Sequence, residues 1–334
     1  MSSHTTLVTA PIVTVFGGSG FVGRYIVQAL AKEGWRVRVA VRRPNEAIFT
    51  MTYGNVGQVQ PVQANIRDED STAAAIRGAQ AVVNCVGILY PHGKQTLDTV
   101  QVEGAGRIAR LAAAAGVQKL VHLSAIGADA SSDSANARTK GEGERAVLNA
   151  FPDATILRPS VVFGPEDEFF NRFARMATKV PVLPVIGGTS RFQPVFVDDV
   201  AMAAATVLRG DAAPGIYELG GPDVETFREL MQRLVTVIRR RRVLLTIPMW
   251  AARLQARLFG LVSKLTFGLI PNSILTLDQV RQLGQDNVVG EGVNTFADLN
   301  IKPRDMDAIL DSYMWPYRPH GQYSEILESA KNLR

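Results

Sequence analysis

The sequence has 334 residues, enough for one large α/β domain with a smaller lobe, and its single cysteine, Cys85, excludes a disulfide framework. It has no run of apolar residues long enough to predict a transmembrane helix, and residues 1–11 show no secretory signal. The net charge is +5, but residues 230–277 hold eight basic and no acidic residues. The remainder has 28 basic and 31 acidic residues, which favours one local anionic contact surface over general nucleic-acid binding.

The first half of the chain alternates short apolar runs with segments of helical periodicity. We predict strands at 12–16, 36–41, 59–63, 81–85, 119–124 and 154–157, and helices at 21–32 and 102–115. Strands separated in this way predict right-handed βαβ units and a doubly wound parallel sheet. In the second half we predict strands at 192–197 and 215–219 and a helix at 226–238.

A glycine-rich turn follows the first predicted strand and opens the first helix, with Gly17, Gly20 and Gly23 at the key positions. The first glycine permits a tight turn, the second lets backbone N–H groups approach a pyrophosphate, and the third permits close helix packing. The helix N-terminus attracts phosphates through its N–H groups and dipole. We therefore expect dinucleotide contacts from Gly17, Gly18, Ser19, Gly20, Phe21, Val22 and Gly23.

The end of the second strand indicates which dinucleotide is bound. An NAD site usually has an acid there for the ribose hydroxyls, whereas this strand ends in Arg42 and Arg43. Guanidinium groups bind phosphate bidentately, so the pair suits the 2′-phosphate of NADPH. The alternative is a solvated basic turn.

Four later segments match the motifs of one enzyme family: 65–68, 85–87, 158–165 and 193–201. With the glycine turn, they resemble the extended and atypical short-chain dehydrogenase/reductases. The resemblance implies that Asn65 and Ile66 lie at the adenine, although the family usually has Asp where Asn65 stands. It also implies that the ribose and nicotinamide are contacted by Cys85, Val86, Gly87, Pro159 and Val162.

Segments 51–59, 163–174 and 313–318 resemble one branch of that family, the Rossmann-fold accessory subunits of respiratory complex I (NADH:ubiquinone oxidoreductase). This resemblance spans about residues 13–326. It implies a tightly held structural NADPH without turnover, and other complex I subunits near the quinone-binding junction as partners. We expect a bacterial version at the cytoplasmic face of the inner membrane.

The resemblance also defines the expected fold and its division into domains. The fold class is α/β, a doubly wound parallel Rossmann sheet of the extended type with a smaller, mainly helical C-terminal lobe. We expect residues 11–164 and 191–222 in the NADPH-binding domain, and residues 165–190 and 223–334 in the lobe.

The catalytic pair of the family is incomplete in this sequence. The family has a tyrosine that donates a proton to the substrate carbonyl, four residues before a lysine that holds the nicotinamide ribose. Here Lys140 is present, but Asn136 occupies the tyrosine position, and a carboxamide has no proton to release near neutral pH. Ser124 ends strand five and is a further cofactor candidate. The alternative is that Thr139 or Ser134 substitutes for the tyrosine.

The segment 239–270 combines apolar stretches with cations. We predict that the part from Arg239 to Lys264 contacts phospholipid or partner subunits, and that the residues from Trp250 to Leu265 form a helix lying at a membrane surface. Its apolar face would comprise Trp250, Leu254, Leu258, Leu261, Val262 and Leu265. The alternative is a core-packed helix with solvated arginines. No aromatic stacking residues accompany residues 239–242, so we expect no nucleic-acid binding.

The four histidines lack the spacing of a metal site, so we expect no metal. The expected function is an accessory subunit of complex I that holds a non-catalytic NADPH. Two alternatives remain open from the sequence. One is an active NADPH-dependent reductase of a quinone or isoprenoid-like substrate, and the other is an NADP(H)-sensing regulator.

Overall fold

A computed structural model describes residues 10–91, 93–248, 251 and 283–323. These residues form two compact units, each made of three chain segments. The first unit comprises residues up to 159 together with 197–220 and 289–302, and the second comprises 160–196, 221–288 and the residues from 303 onward.

Seven parallel strands form the centre of the first unit, in the order β11-β6-β5-β4-β1-β2-β3. Their bounds are β1 (Ile12–Phe16), β2 (Arg36–Val41), β3 (Val59–Gln63), β4 (Ala81–Asn84), β5 (Lys119–Leu123), β6 (Thr155–Pro159) and β11 (Gly215–Leu219). The helices are α1 (Phe21–Lys32), α2 (Glu69–Ile76), α3 (Glu103–Ala114), α4 (Ala135–Ala150) and α6 (Val197–Arg209). The predicted doubly wound parallel sheet is confirmed.

Apolar periodicity explains why these segments form a layered core. The β1 residues from Val13 to Phe16 are fully buried, as expected of a central parallel strand covered on both faces. In α1 the residues Ile26, Val27 and Leu30 recur at helical spacing and are also fully buried. The strand order reverses direction between β1 and β4, so the carboxyl ends of these two strands flank the crevice where doubly wound folds bind ligands.

The residues 289–302 pack along β11, the last strand of the sheet. Glu218 N donates to Asn294 O at 2.8 Å, and the Asn294 side chain donates to Ile216 O at 3.3 Å. Gly290 N also donates to the Glu218 carboxylate at 2.9 Å. These residues were expected in the C-terminal lobe, but long-range pairing with β11 places them in the first unit.

The second unit contains α5 (Phe170–Lys179), α7 (Phe227–Val237), α8 (Met306–Met314) and three short strand pairs. The pairs join β7 (Val162–Phe163) to β10 (Val195–Phe196), β9 (Arg191–Phe192) to β12 (Glu225–Thr226), and β8 (Val182–Ile186) to β13 (Val243–Ile247). Phenylalanine rings pack together in this unit, with Phe169 5.0 Å from Phe170 and 6.0 Å from Phe227 between ring centroids.

Two segments differ from the prediction. The single strand at 192–197 is wrong, because the segment forms β9 and β10 on either side of Pro194, which has no N–H for a ladder. In segment 239–270, where no strand was predicted, Val243–Ile247 forms a strand that pairs in parallel with β8. The helix predicted in this segment has its apolar face from Trp250 to Leu265, which lies outside the described residues. No helix in the described ranges is long and apolar enough to cross a bilayer.

Candidate functional site

The glycine turn joins β1 to α1 at the reversal of the sheet order. Gly17 has a φ of +74°, a conformation open to glycine, and its N–H donates to Ala40 O at 3.0 Å. Gly20 N donates to Gly17 O at 2.9 Å, and Gly20 is the N-cap residue of α1. No side chain among the described residues caps this helix end, so backbone N–H groups face the crevice without a competing side-chain acceptor.

Two further glycines let the turn close tightly. A Cβ at Gly23 would lie 2.3 Å from Gly17 O, and a Cβ at Gly18 would lie 3.0 Å from a Val27 methyl group. Gly23 is therefore needed so that α1 can approach the turn, as the sequence pattern predicts. Phe21 and Val22 occupy the first turn of α1 and are partly buried.

The loop after β4 forms the opposite wall of the crevice. A Cβ at Gly17 would lie 3.2 Å from the Cys85 carbonyl carbon and from a Val86 methyl group. Asn84 fixes this loop, because its Oδ1 accepts from Val86 N at 3.1 Å while its Nδ2 lies 3.0 Å from His122 Nδ1. Burial lowers the pKa of His122 to about 3, so His122 is neutral and can accept at Nδ1.

A cavity of about 460 Å³ opens between these walls. It brings together ten of the predicted cofactor residues: Gly17, Ser19, Gly20, Arg42, Arg43, Asn65, Ile66, Cys85, Val86 and Gly87. Sequence reasoning missed the other lining residues Ala40, Val41, Glu46, Ala64, Ile88, Gln95 and Val100. Arg67 also lines the cavity; it lies in segment 65–68, which was matched to the adenine contact, but it was not predicted to bind the cofactor itself. Burial raises the pKa of Cys85 to about 12, so its thiol is protonated and lines the wall as a small apolar group.

The predicted arginine pair has unequal surroundings. Arg43 Nη1 lies 2.8 Å from Glu46 Oε1, and this carboxylate raises the pKa of Arg43. Arg42 Nη1 instead donates to the neutral amide oxygen of Gln95 at 2.6 Å. A 3₁₀ helix from Pro44 to Tyr53 brings Glu46 back beside Arg43.

Asn136 and Lys140 lie one turn apart on α4. Gln101 Nε2 donates to Asn136 Oδ1 at 3.0 Å and to Ile88 O at 2.8 Å, while Gln101 Oε1 accepts from the Thr139 hydroxyl at 2.8 Å. Thr139 is fully buried and also donates to Ala135 O. The carboxamide at position 136 is thus fixed by a network of neutral groups.

Lys140 is partly buried, and burial lowers its pKa to about 8 despite the nearby Glu144 carboxylate. Glu144 pairs with Arg158, with Nη2 2.6 Å from Oε2, and Arg158 also lies 3.3 Å from Glu218. Hydrogen bonding to Glu144 raises the pKa of Arg158. This network joins α4 to β6 and β11 and holds the helix that carries Lys140.

The remaining predicted residues lie outside the cavity lining. Ser124 and Pro159 stand at the carboxyl ends of β5 and β6, and Val162 belongs to the second unit in β7. Ser124 is 4% exposed, and its hydroxyl has no hydrogen-bond partner among the described residues. A buried hydroxyl without a partner is costly and points to an absent ligand group.

These features fit a dinucleotide. The positive φ at Gly17, the bare N-terminus of α1 and the cavity at the sheet reversal provide room and N–H donors for a pyrophosphate. Arg42 follows β2, where an adenosine ribose would be reached, and Ser124 follows β5 with a buried hydroxyl that has no partner among the described residues.

Comparisons with known proteins agree with this geometry. Residues 13–220 match the NAD dependent epimerase/dehydratase family, which supports binding of a nicotinamide dinucleotide. The chain is 37% identical to the mitochondrial NADH dehydrogenase [ubiquinone] 1 alpha subcomplex subunit 9 of Arabidopsis thaliana, over 94% of this chain and 80% of the relative. It is 31% identical to a ceramide reductase of Caulobacter vibrioides, over 71% of this chain and 74% of that protein.

The fold is also found in a solved structure, the dTDP-glucose 4,6-dehydratase of Bacillus anthracis in complex with NAD. The two chains share 17% identity, with a TM-score of 0.68 over 95% of this chain and 100% of the other. Together, the family match and the Arabidopsis relative confirm the family resemblance seen in the sequence motifs. The chain belongs to the NAD dependent epimerase/dehydratase family, in the branch of the relatives named NADH dehydrogenase [ubiquinone] 1 alpha subcomplex subunit 9.

Proposed function

We propose that this protein is an accessory subunit of a respiratory complex I that holds NADPH without turning it over. The observation that carries the proposal is Asn136, four residues before Lys140 and hydrogen-bonded to Gln101. A carboxamide cannot supply the proton that a carbonyl oxygen needs during reduction. Thr139 is no substitute, because its buried hydroxyl already donates within the helix and to Gln101.

The names of the relatives support the assignment to complex I. The Arabidopsis protein is named as a subunit of NADH dehydrogenase [ubiquinone], and the match spans nearly the whole of this chain. A chain that keeps the dinucleotide crevice but lacks the proton donor fits a structural role for the cofactor. Such a ligand would stabilise the folded protein in proportion to the logarithm of its concentration over its dissociation constant.

Each part of the crevice has a defined task in holding the cofactor. NADPH, when bound, supplies a nicotinamide that can donate a hydride. Gly17 and Gly20 shape the turn, and the backbone N–H groups of the first turn of α1, from Phe21 to Gly23, would face the pyrophosphate. Arg42 would provide positive charge for the 2′-phosphate. Lys140, and Ser124 through its hydroxyl, would hold the ribose and nicotinamide end.

We further propose that the protein lies at the cytoplasmic face of a bacterial inner membrane, beside other complex I subunits near the quinone-binding junction. The basic run at 239–242 supports an anionic contact there. From Arg239 to Lys264 the chain carries seven cations and no acid, which suits a phospholipid surface. In this proposal residues 239–270 are the contact segment. The two domains follow the bounds of the two compact units, which differ from the predicted division at 160–164, 191–196, 221–222 and 289–302.

Isolation of the native membrane complex tests the proposal. Membranes are solubilised gently, the complex is separated by size, and its subunits and nucleotides are identified by mass spectrometry. We expect this chain to migrate with the other complex I subunits and to carry close to one NADPH per chain. Migration as a separate species, or loss of the nucleotide on dialysis, would contradict it and favour a reversible NADP(H) sensor.

An active reductase is the second candidate, favoured by the identity to a ceramide reductase. Absorbance of the reduced nicotinamide is followed with quinones, isoprenoid carbonyls and lipid ketones as substrates. We expect no oxidation above that of Lys140→Ala. Turnover that depends on Lys140 would establish the reductase instead.

A further inference from the structure

The cavity contains two arginines that form no ion pair with an acid among the described residues. Arg42 Nη1 donates to the Gln95 amide oxygen at 2.6 Å, and Arg67 Nη1 donates to the Lys94 carbonyl oxygen at 3.0 Å. Both acceptors are neutral. Lys94 and Gln95 are consecutive, so one loop contacts both guanidiniums. Arg42 belongs to the segment after β2, and Arg67 to the segment after β3.

The third arginine of the cavity differs from these two. Arg43 is paired with Glu46, the one acid among the described lining residues of the cavity. The pair is largely exposed, so it adds little to stability. Its effect is on charge, because the carboxylate cancels the positive charge of Arg43 at the mouth of the cavity.

On the proposed NADPH function, we propose that Arg67 joins Arg42 to bind the 2′-phosphate, and that Arg43 acts mainly to neutralise Glu46. Arg67 and Glu46 thereby become determinants of the preference for NADPH over NADH. Two uncompensated guanidiniums match the roughly −2 charge of a phosphate monoester. Each guanidinium has five N–H donors and gives one hydrogen bond to the loop at 94–95, so donors remain for the phosphate oxygens.

This proposal and direct phosphate binding by Arg43 predict different NADPH affinities for a double variant. Removing Arg43 leaves Glu46 unneutralised near the phosphate, which weakens NADPH binding by repulsion. Removing Glu46 as well eliminates the repulsion, so Arg43→Ala/Glu46→Ala should recover most of the affinity. If Arg43 bound the phosphate directly, the double variant would remain as weak as Arg43→Ala.

The test measures dissociation constants of NADPH and NADH for the full-length chain, after stripping its nucleotide, by calorimetry or nicotinamide fluorescence. We expect Arg67→Met to weaken NADPH by about tenfold or more, since a charge-assisted hydrogen bond is lost, and to leave NADH within about twofold. Arg77→Met, an exposed arginine outside the cavity, is the matched control and should change neither constant.

Binding of NADH reports on the fold of each variant, so a misfolded protein is recognised directly. Equal weakening of both nucleotides by Arg67→Met would overturn the inference, as would a double variant no better than Arg43→Ala. The proposed function fails on different observations, namely turnover or absence from the membrane complex. Neither of these changes the ratio of the two dissociation constants.

Discussion

The side-chain amide of Gln101 donates to the carboxamide oxygen of Asn136 at 3.0 Å, and Gln101 is 5% exposed. The same amide bonds Ile88 O and accepts from Thr139. Gln101→Ala would remove the side-chain donor to the partly buried Ile88 carbonyl and Asn136 carboxamide, and would leave the buried Thr139 hydroxyl only its acceptors within the helix. We expect a loss of about 1–3 kcal/mol in the free energy of unfolding, measured by denaturant titration. The exposed Gln60→Ala should change it far less.

Two glycines of the candidate site should respond differently to substitution by alanine: Gly23 is needed for folding, and Gly87 for cofactor binding. Gly23→Ala places a Cβ 2.3 Å from Gly17 O, so we expect destabilisation by about 3 kcal/mol or more. A Cβ at Gly87 meets no atom within 4 Å. Gly87→Ala should therefore unfold like the wild type yet weaken NADPH binding, because in the proposed site the loop at Gly87 lies against the ribose. Equal stability of the two variants would contradict this account of Gly23.

The lowered pKa of Lys140 predicts a pH dependence of stability. Since the folded-state pKa is about 8 and the ordinary value is 10.5, the folded protein loses the proton first as the pH rises. The cost of the buried charge applies in full below about pH 8 and is relieved between pH 8 and 10.5, where stability should rise. Lys140→Met should remove a rise on the order of 2 kcal/mol.

Unfolding titrations of the free protein at about pH 7.5 and about pH 9.5 measure this difference. Lys32→Met is the matched control, because Lys32 is exposed on α1. Parallel pH profiles for the wild type and Lys140→Met would show that Lys140 titrates at its ordinary value.

Arg158 holds two buried carboxylates, Glu144 at 2.6 Å and Glu218 at 3.3 Å. Arg158→Met would leave both without their cation, and we expect a loss of about 3–5 kcal/mol. Arg175→Met breaks the exposed pair with Glu168 and should cost at most about 1 kcal/mol. A similar effect of the two substitutions on thermal unfolding would argue against a structural role for the buried network.

Ser124→Ala should maintain or slightly raise the stability of the free protein and lower its affinity for NADPH. The Ser124 hydroxyl is buried without a partner in the described structure, so its removal should leave the free protein as stable or slightly more stable. If the hydroxyl bonds the cofactor, NADPH should bind a few-fold to about tenfold more weakly. Thermal shifts with and without NADPH measure both effects, and an unchanged affinity would remove Ser124 from the site.

Local patterns were sufficient for the strands of the first half and for α1 and α3, whereas α2 and α4 were not predicted. Each strand from β1 to β6 was predicted within two residues of its ends, because β1 and β4 are buried apolar runs and β2 alternates apolar with polar residues. The pairing of β8 with β13 was not predictable, since it joins residues about sixty apart and neither segment alternates clearly. Tertiary contacts decide such short strands.

The candidate site was partly predictable for the same reason. Residues in the turn after β1 and the loop after β4 follow from sheet topology, and both line the cavity. Glu46 and Gln95 were missed because their importance lies in partners: Glu46 is turned toward Arg43 by a 3₁₀ helix, and Gln95 reaches Arg42 from a distant loop. No local pattern reveals such contacts.

The return of residues 289–302 to the sheet has a consequence for solubility. β11 is an edge strand, and Asn294 occupies hydrogen-bonding groups that would otherwise face outward. An exposed edge strand is a template on which a second molecule can add its own strand. A protein cut before residue 289 would thus be prone to edge-to-edge aggregation. Residues 289–302 therefore protect β11 from pairing with a strand of a second molecule.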